Sequence, residues 1–201
     1  MNDNETKEYP IDRFLQWIAD LVRRDDRGTL AELRRGLSPT TREQCWPHII
    51  RFAKSDFENE TLRTVWCSIG GLAALMIPKG FVTDDDNDNL GTTMQKLAFK
   101  AMPTTNGQRE SKEKALKDFS PRLRRILDAS DSIPLCEMAV RIVRMAASKD
   151  MPVNLRNLFL NLCSWDNAEN REKTRLKWTR RYYTIFEPRT DVNPDQMENG
   201  V

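Results

Sequence analysis

Residues 61–77 limit the possible folds of this chain more than any other stretch. From Val65 to Ile77 there is no charged side chain, and a helix that is apolar on every side has to be buried. The run is shorter than the ~20 residues needed to cross a membrane, and Gly70 and Gly71 lie inside it. Residues 61–77 are therefore expected to form the central helix of an N-terminal helical half. Pro78, Lys79 and Gly80 follow as a stop signal.

Helical periodicity continues on both sides of this segment. Ile11, Phe14, Leu15, Ile18, Leu21 and Val22 form an apolar stripe at helical spacing. A second region opens at Thr40 or Thr41 and runs through Trp46, Ile49, Ile50 and Phe52; it should break at Trp46, because Pro47 is tolerated only near a helix start. Residues 90–101 form a further helix. Helices are then expected over 111–119, 120–129, 134–148, 154–162 and 167–186, with Pro121 at the first position of the second of these. Residues 182–186 suit a strand by composition, but they continue a helical pattern. No strand pair and no internal repeat stands out. The expected fold class is all-α, as helical bundles, with two small helical halves packed together. The expected organisation is a flexible N-terminus over 1–9, an N-terminal helical half over 10–102, a turn-rich linker over 103–110, a C-terminal helical half over 111–186 and a disordered acidic tail over 187–201.

The formal charge of +2 conceals segregation. Residues 1–9 carry −2, the acidic run 84–88 carries −4 and residues 187–201 carry −3. These three segments hold −9, which leaves +11 on the rest of the chain. A body that basic favours a polyanionic partner. The polar, acidic N-terminus lacks a signal pattern, and no two of Cys45, Cys67, Cys136 and Cys163 form a CxxC. The four cysteines read as reduced, buried residues of a cytoplasmic protein.

The residues offer little for catalysis. His48 is the one histidine, which rules out a histidine-rich metal site within one chain; beside Trp46 it reads as packed or partly exposed. There is no phosphate-cradling GxxxxGK[ST] loop and no GxGxxG. Asp84, Asp86 and Asp88 alternate like calcium ligands. Asn89 stands where the loop glycine belongs and Gln95 where the terminal glutamate belongs, so the run reads as a solvated loop. Neither an enzyme, a cofactor nor a metal is expected.

Arginines on predicted helices carry the positive evidence. Asp26 caps a short helix through Arg27, Gly28, Leu30 and Leu33, and Gly36 is expected to end it in the left-handed conformation. Leu30 and Leu33 share a buried face, and Arg34 and Arg35 fan out from the last turn. Guanidinium groups on such a mount suit phosphate oxygens or, equally, the helix's own carbonyls. Arg122, Arg124 and Arg125 sit within about one turn, and Arg141 and Arg144 share a face. Arg171, Lys173, Arg175, Lys177, Arg180 and Arg181 crowd one helix, with Leu176, Thr179, Tyr183 and Phe186 expected to face inward. No aromatic residue is interleaved for base stacking, so contact with nucleic-acid backbones is the expected mode. The candidate site is thus Arg27, Arg34, Arg35, Arg122, Arg124, Arg125, Arg141, Arg144, Arg171, Lys173, Lys177, Arg180 and Arg181. The alternatives are a helical DNA-binding transcriptional regulator and a scaffold that binds acidic proteins.

Asp26, Arg27 and Gly28, followed by residues 30–36 and then Trp46 and Pro47, resemble the N-terminal signature of the CasB family, the small subunit of the type I-E CRISPR Cascade surveillance complex. Leu90 and Gly91 leading to Leu97 and Ala98 resemble its short central helix. Residues 121–130, residues 153–155 through Trp165 and Asp166, and Trp178 through Tyr183 resemble its C-terminal half. The resemblance covers about residues 11–186. It implies an all-helical, non-enzymatic subunit that sits in head-to-tail pairs beside other Cascade subunits and the CRISPR RNA. There it would hold the guide–target hybrid and the displaced DNA strand open, as an R-loop, in antiviral defence. Arg34, Arg35, Arg124, Arg125 and Arg144, with the basic final helix, match family positions implicated in nucleic-acid contact. The acidic run and the tail match nothing in that pattern.

Overall fold

The computed structural model of the chain describes residues 9–85, 87–101 and 109–184, without the side chains of residues 109 and 110. Residues 1–8, the expected linker up to residue 108 and the expected tail over 187–201 lie outside the described residues, as do Asp86 and Phe186. Among the described residues there are nine α-helices: α1 Pro10–Arg23, α2 Arg27–Arg35, α3 Trp46–Ala53, α4 Glu60–Met76, α5 Leu90–Lys100, α6 Arg109–Leu127, α7 Ser132–Ala147, α8 Leu155–Cys163 and α9 Ala168–Tyr183. Short 3-10 turns lead into α3 and α4 and follow α4. The one strand-like pairing among these residues is an isolated bridge between Val82 and Val153.

Local chemistry sets most helix starts. Asp26, Asn59, Asn89, Asp131, Asn154 and Asn167 each accept a backbone N–H of the first turn of the helix that follows. Each bond satisfies one of the amides a helix start leaves unpaired. Pro10 is the first residue of α1 and Pro47 the second of α3, positions in the first turn where a missing N–H costs nothing.

The all-α expectation holds, with α4 at the centre of the molecule. Its residues from Thr64 to Ala74 are all buried, and α1, α2, α3, α7 and α8 pack around it. With its 3-10 extension, Glu60–Lys79, it is long and apolar enough to cross a membrane by length and composition, but most of it is buried in the protein. Trp66 joins α1 to α8, touching Phe14 at 5.4 Å and Phe159 at 4.6 Å between ring centroids. A second centre forms around α5, which packs on α6, α7 and α9. The core therefore runs without a break across residue 102. Gly91 makes the α5–α9 crossing possible: a Cβ there would lie 2.1 Å from the carbonyl oxygen of Trp178.

Several expectations need correction. Gly36 is right-handed, at φ −58°. Its need for a bare Cα is steric, because a Cβ would meet the Cys67 carbonyl at 2.8 Å and the Cys45 sulfur at 2.9 Å. Residues 111–129 do not divide at Pro121. α6 passes straight through, and the Ser120 hydroxyl donates to the Lys117 carbonyl at 2.8 Å, the acceptor that proline cannot serve. The inward face of α9 is Thr174, Trp178 and Tyr182, whereas Leu176 and Tyr183 are exposed. The acidic run is more than a solvated loop. Its Asp85 carbonyl accepts from Asn154, the Asp88 carbonyl accepts from Asn157, and the Asp88 carboxylate pairs with Lys96 at 2.9 Å. All four cysteines are free, but Cys163 is only half-buried.

Candidate nucleic-acid interface

The basic residues sort by what already holds them. On α9, Arg171 donates to the Ser130 carbonyl at 2.6 Å, Lys173 pairs with Glu169, and Arg181 donates to Asn87 at 2.7 Å. Arg175 lies over the Trp165 ring. The contacts of Arg171, Arg175 and Arg181 fasten the helix to its neighbours, whereas the Lys173–Glu169 pair is exposed and lies within α9. Lys177 and Arg180 are exposed and make no ion pair among the described residues. Arg27, at the opposite end of α2 from Arg34, donates to Asp25 at 2.9 Å, which raises its pKa further.

A different set converges on α2, α6 and α7. Arg122, Arg125 and Arg141 rim a hollow of about 180 Å³ whose other walls are Ile126, Met138, Ile142 and Met145. One turn further along α7, Arg144 lines a second hollow with Arg34, Leu37, Ser38 and Leu75. Arg141 and Arg144 are three apart on α7, so their side chains are neighbours. The five arginines form one ribbon across three helices. None of them has a carboxylate partner among the described residues. The Arg34 Nε donates to the Leu30 carbonyl at 3.0 Å, which orients the guanidinium without neutralising it.

Two expected members sit apart. Arg35 is exposed and donates to the side chain of Gln44, and Arg124 is exposed but lines neither hollow. On α6, Arg125 and Arg124 are about 100° apart, so only one can turn toward α7. The apolar walls were absent from the sequence expectation. Their signal is present in α7 as Met138, Arg141, Ile142 and Met145, at positions i, i+3, i+4 and i+7.

No group of three or more His, Cys, Asp or Glu is assembled to hold a metal among the described residues. His48 contacts Glu32 and stacks on Trp17. Burial pushes the Cys136 thiol up to about 12, far from the reactive thiolate range. Cys45 is raised by its hydrogen bond to Cys67 and by burial.

The family model for the CRISPR-associated protein Cse2 matches residues 29–183. The chain belongs to that family. Among solved structures, the crystal structure of CasB from Thermobifida fusca is similar over 87% of this chain and 96% of that one, with a TM-score of 0.62 at 18% sequence identity. No curated protein sequence matches.

Proposed function

Proceeding from membership of the Cse2 family, we propose that the chain is a non-catalytic subunit of a cytoplasmic type I-E CRISPR Cascade complex. In it, the chain grips nucleic-acid backbones of the guide–target hybrid and the displaced strand and so stabilises the R-loop. Other Cascade subunits, the CRISPR RNA, target DNA and a second copy of the chain, head to tail, are its partners. The observation that supports this most is the ribbon of Arg34, Arg122, Arg125, Arg141 and Arg144, none of which pairs with a carboxylate among the described residues. Lys177, Arg180, Arg35 and Arg124 add exposed charge outside the two hollows.

The physical logic suits the role. Guide–target pairing supplies the sequence information, so the protein needs contacts that are indifferent to sequence. Exchange of a DNA duplex for an RNA–DNA hybrid is nearly balanced in energy, so modest backbone contacts tip it. Arginine provides permanent charge and forked donors for phosphate oxygens. A transcriptional regulator would concentrate its readout on one helix entering the major groove, whereas these arginines are spread over three.

Binding of the purified chain to DNA of unrelated sequences tests the reading. Affinity should be weak and equal across sequences. Its logarithm should fall linearly with the logarithm of salt concentration, by about 0.9 per duplex phosphate neutralised. Tight binding to one sequence that survives scrambled competitor would overturn it in favour of a regulator.

A further inference from the structure

We propose that the α6–α7 hollow is a docking site for a short acidic peptide with apolar anchors, and that its occupant is residues 185–201 of the same chain. The hollow differs from a plain phosphate grip. Three arginines rim it, but Ile126, Met138, Ile142 and Met145 give it an apolar wall that a sugar-phosphate backbone leaves unused. At about 180 Å³ it is also smaller than the ~300 Å³ at which small-molecule sites begin. A ligand that suits both rim and wall carries an acid directly beside an apolar side chain.

Residues 185–201 repeat that pairing three times: Phe186 with Glu187, Asp191 with Val192, and Met197 with Glu198. The segment holds Glu187, Asp191, Asp195 and Glu198 against Arg189 alone, so its charge is opposite to that of the rim. Its starting point is favourable. The Tyr182 hydroxyl donates to the Leu116 carbonyl of α6 at 2.7 Å, and Gln95 of α5 donates to the Tyr182 and Thr184 carbonyls, so the described chain ends beside α5 and within a side chain's length of α6. From Leu116 to Arg125 is about 14 Å along the helix axis. Residues 185–201 can extend over roughly 55–60 Å, ample to reach the hollow. Exposed ion pairs are individually weak, but tethering sets an effective concentration on the order of millimolar. A contact that is negligible between separate molecules is then well populated. Under the function proposed above, the docked segment competes with nucleic acid for Arg122, Arg125 and Arg141. The docking itself does not depend on that function.

The test uses full-length protein with ¹³C-methyl methionine, compared with the full-length variant E187Q/D191N/D195N/E198Q. The Met138 and Met145 resonances, assigned with M138L and M145L, should differ between the two proteins at low salt. They should converge at about 1 M salt, where the Debye length is about 3 Å. The buried Met94 should not change. Identical Met138 and Met145 resonances at low salt would overturn the docking. A difference that fades on tenfold dilution would assign the segment to a second copy and overturn the intramolecular proposal. The variant should also bind an oligonucleotide more tightly at low salt, by at least about threefold, with a steeper salt slope. Methyl shifts without that gain keep the docking and remove nucleic acid from this hollow, so the two readings fail separately.

Discussion

Individual side chains do two kinds of work here, and Asp26 shows the first. Its carboxylate accepts from the Thr29 backbone N–H at 3.0 Å and the Thr29 hydroxyl at 2.9 Å, and these bonds hold its pKa below the ordinary 3.8. A lowered carboxylate pKa stabilises the fold above the unfolded value and ceases to do so as pH falls through the folded one. Asp26→Ala should therefore lower the thermal midpoint at neutral pH, with the difference from the wild type shrinking below about pH 3.8; circular dichroism melts across that window measure it. This cap was legible in the sequence, because an Asp before a short apolar repeat has few other uses. Gly36 was legible as special but for the wrong reason. Its constraint comes from Cys67 and Cys45, which are distant in sequence. Arg34 and Arg35 were legible as a pair, yet the fold separates them. Arg34 joins Arg144 across helices, and Arg35 turns to Gln44.

Elements obey local rules until a neighbour or a single hydroxyl overrules them. Pro121 reads as a helix start, yet Ser120 serves the carbonyl that proline strands, and α6 continues. Pro121→Ala should stabilise the protein by about 1 kcal/mol. A proline in a helix interior costs up to ~3 kcal/mol, and this gain is reduced because the Ser120 bond already exists and proline restricts the unfolded chain. Chemical denaturation midpoints measure the change, and destabilisation would mean that α6 needs its proline. The α5–α9 crossing makes a sharper demand. Gly91→Ala places a Cβ against main chain rather than a yielding side chain, and the expected loss is about 3 kcal/mol, the upper end of ordinary overpacking. The inward face of α9 could not be read because apolar and aromatic residues occur on both sides of it. Leu176 with Tyr183, and Trp178 with Tyr182, offer equivalent helical stripes. Tertiary contacts decide: Trp178 stacks on Trp165 at 5.4 Å, and the Tyr182 hydroxyl reaches α6.

At the scale of the whole molecule, segregation of charge and continuity of the core are the two governing facts. The all-α class was legible because every segment keeps a helical period and strong caps punctuate it. The basic body was legible from arithmetic alone. Which basic residues remain available was not, because availability depends on acceptors far away in sequence, such as the Ser130 carbonyl for Arg171 and Asn87 for Arg181. The fold gathers Arg141 and Arg144 of α7 with arginines of α2 and α6 and ties Arg171, Arg175 and Arg181 of α9, the helix that looked most basic, to neighbouring elements. The direct measurement is the lifetime of target DNA on an assembled complex carrying Arg141→Ala/Arg144→Ala. It is compared with Lys114→Ala/Lys117→Ala, two exposed changes on α6 outside both hollows. Loss of two backbone contacts at about 0.5–1.5 kcal/mol each should shorten the lifetime on the order of tenfold, with the lysine pair near wild type. Equal lifetimes for the arginine pair and the wild type, or a larger loss from the lysine pair, would contradict the arginine ribbon as the nucleic-acid face.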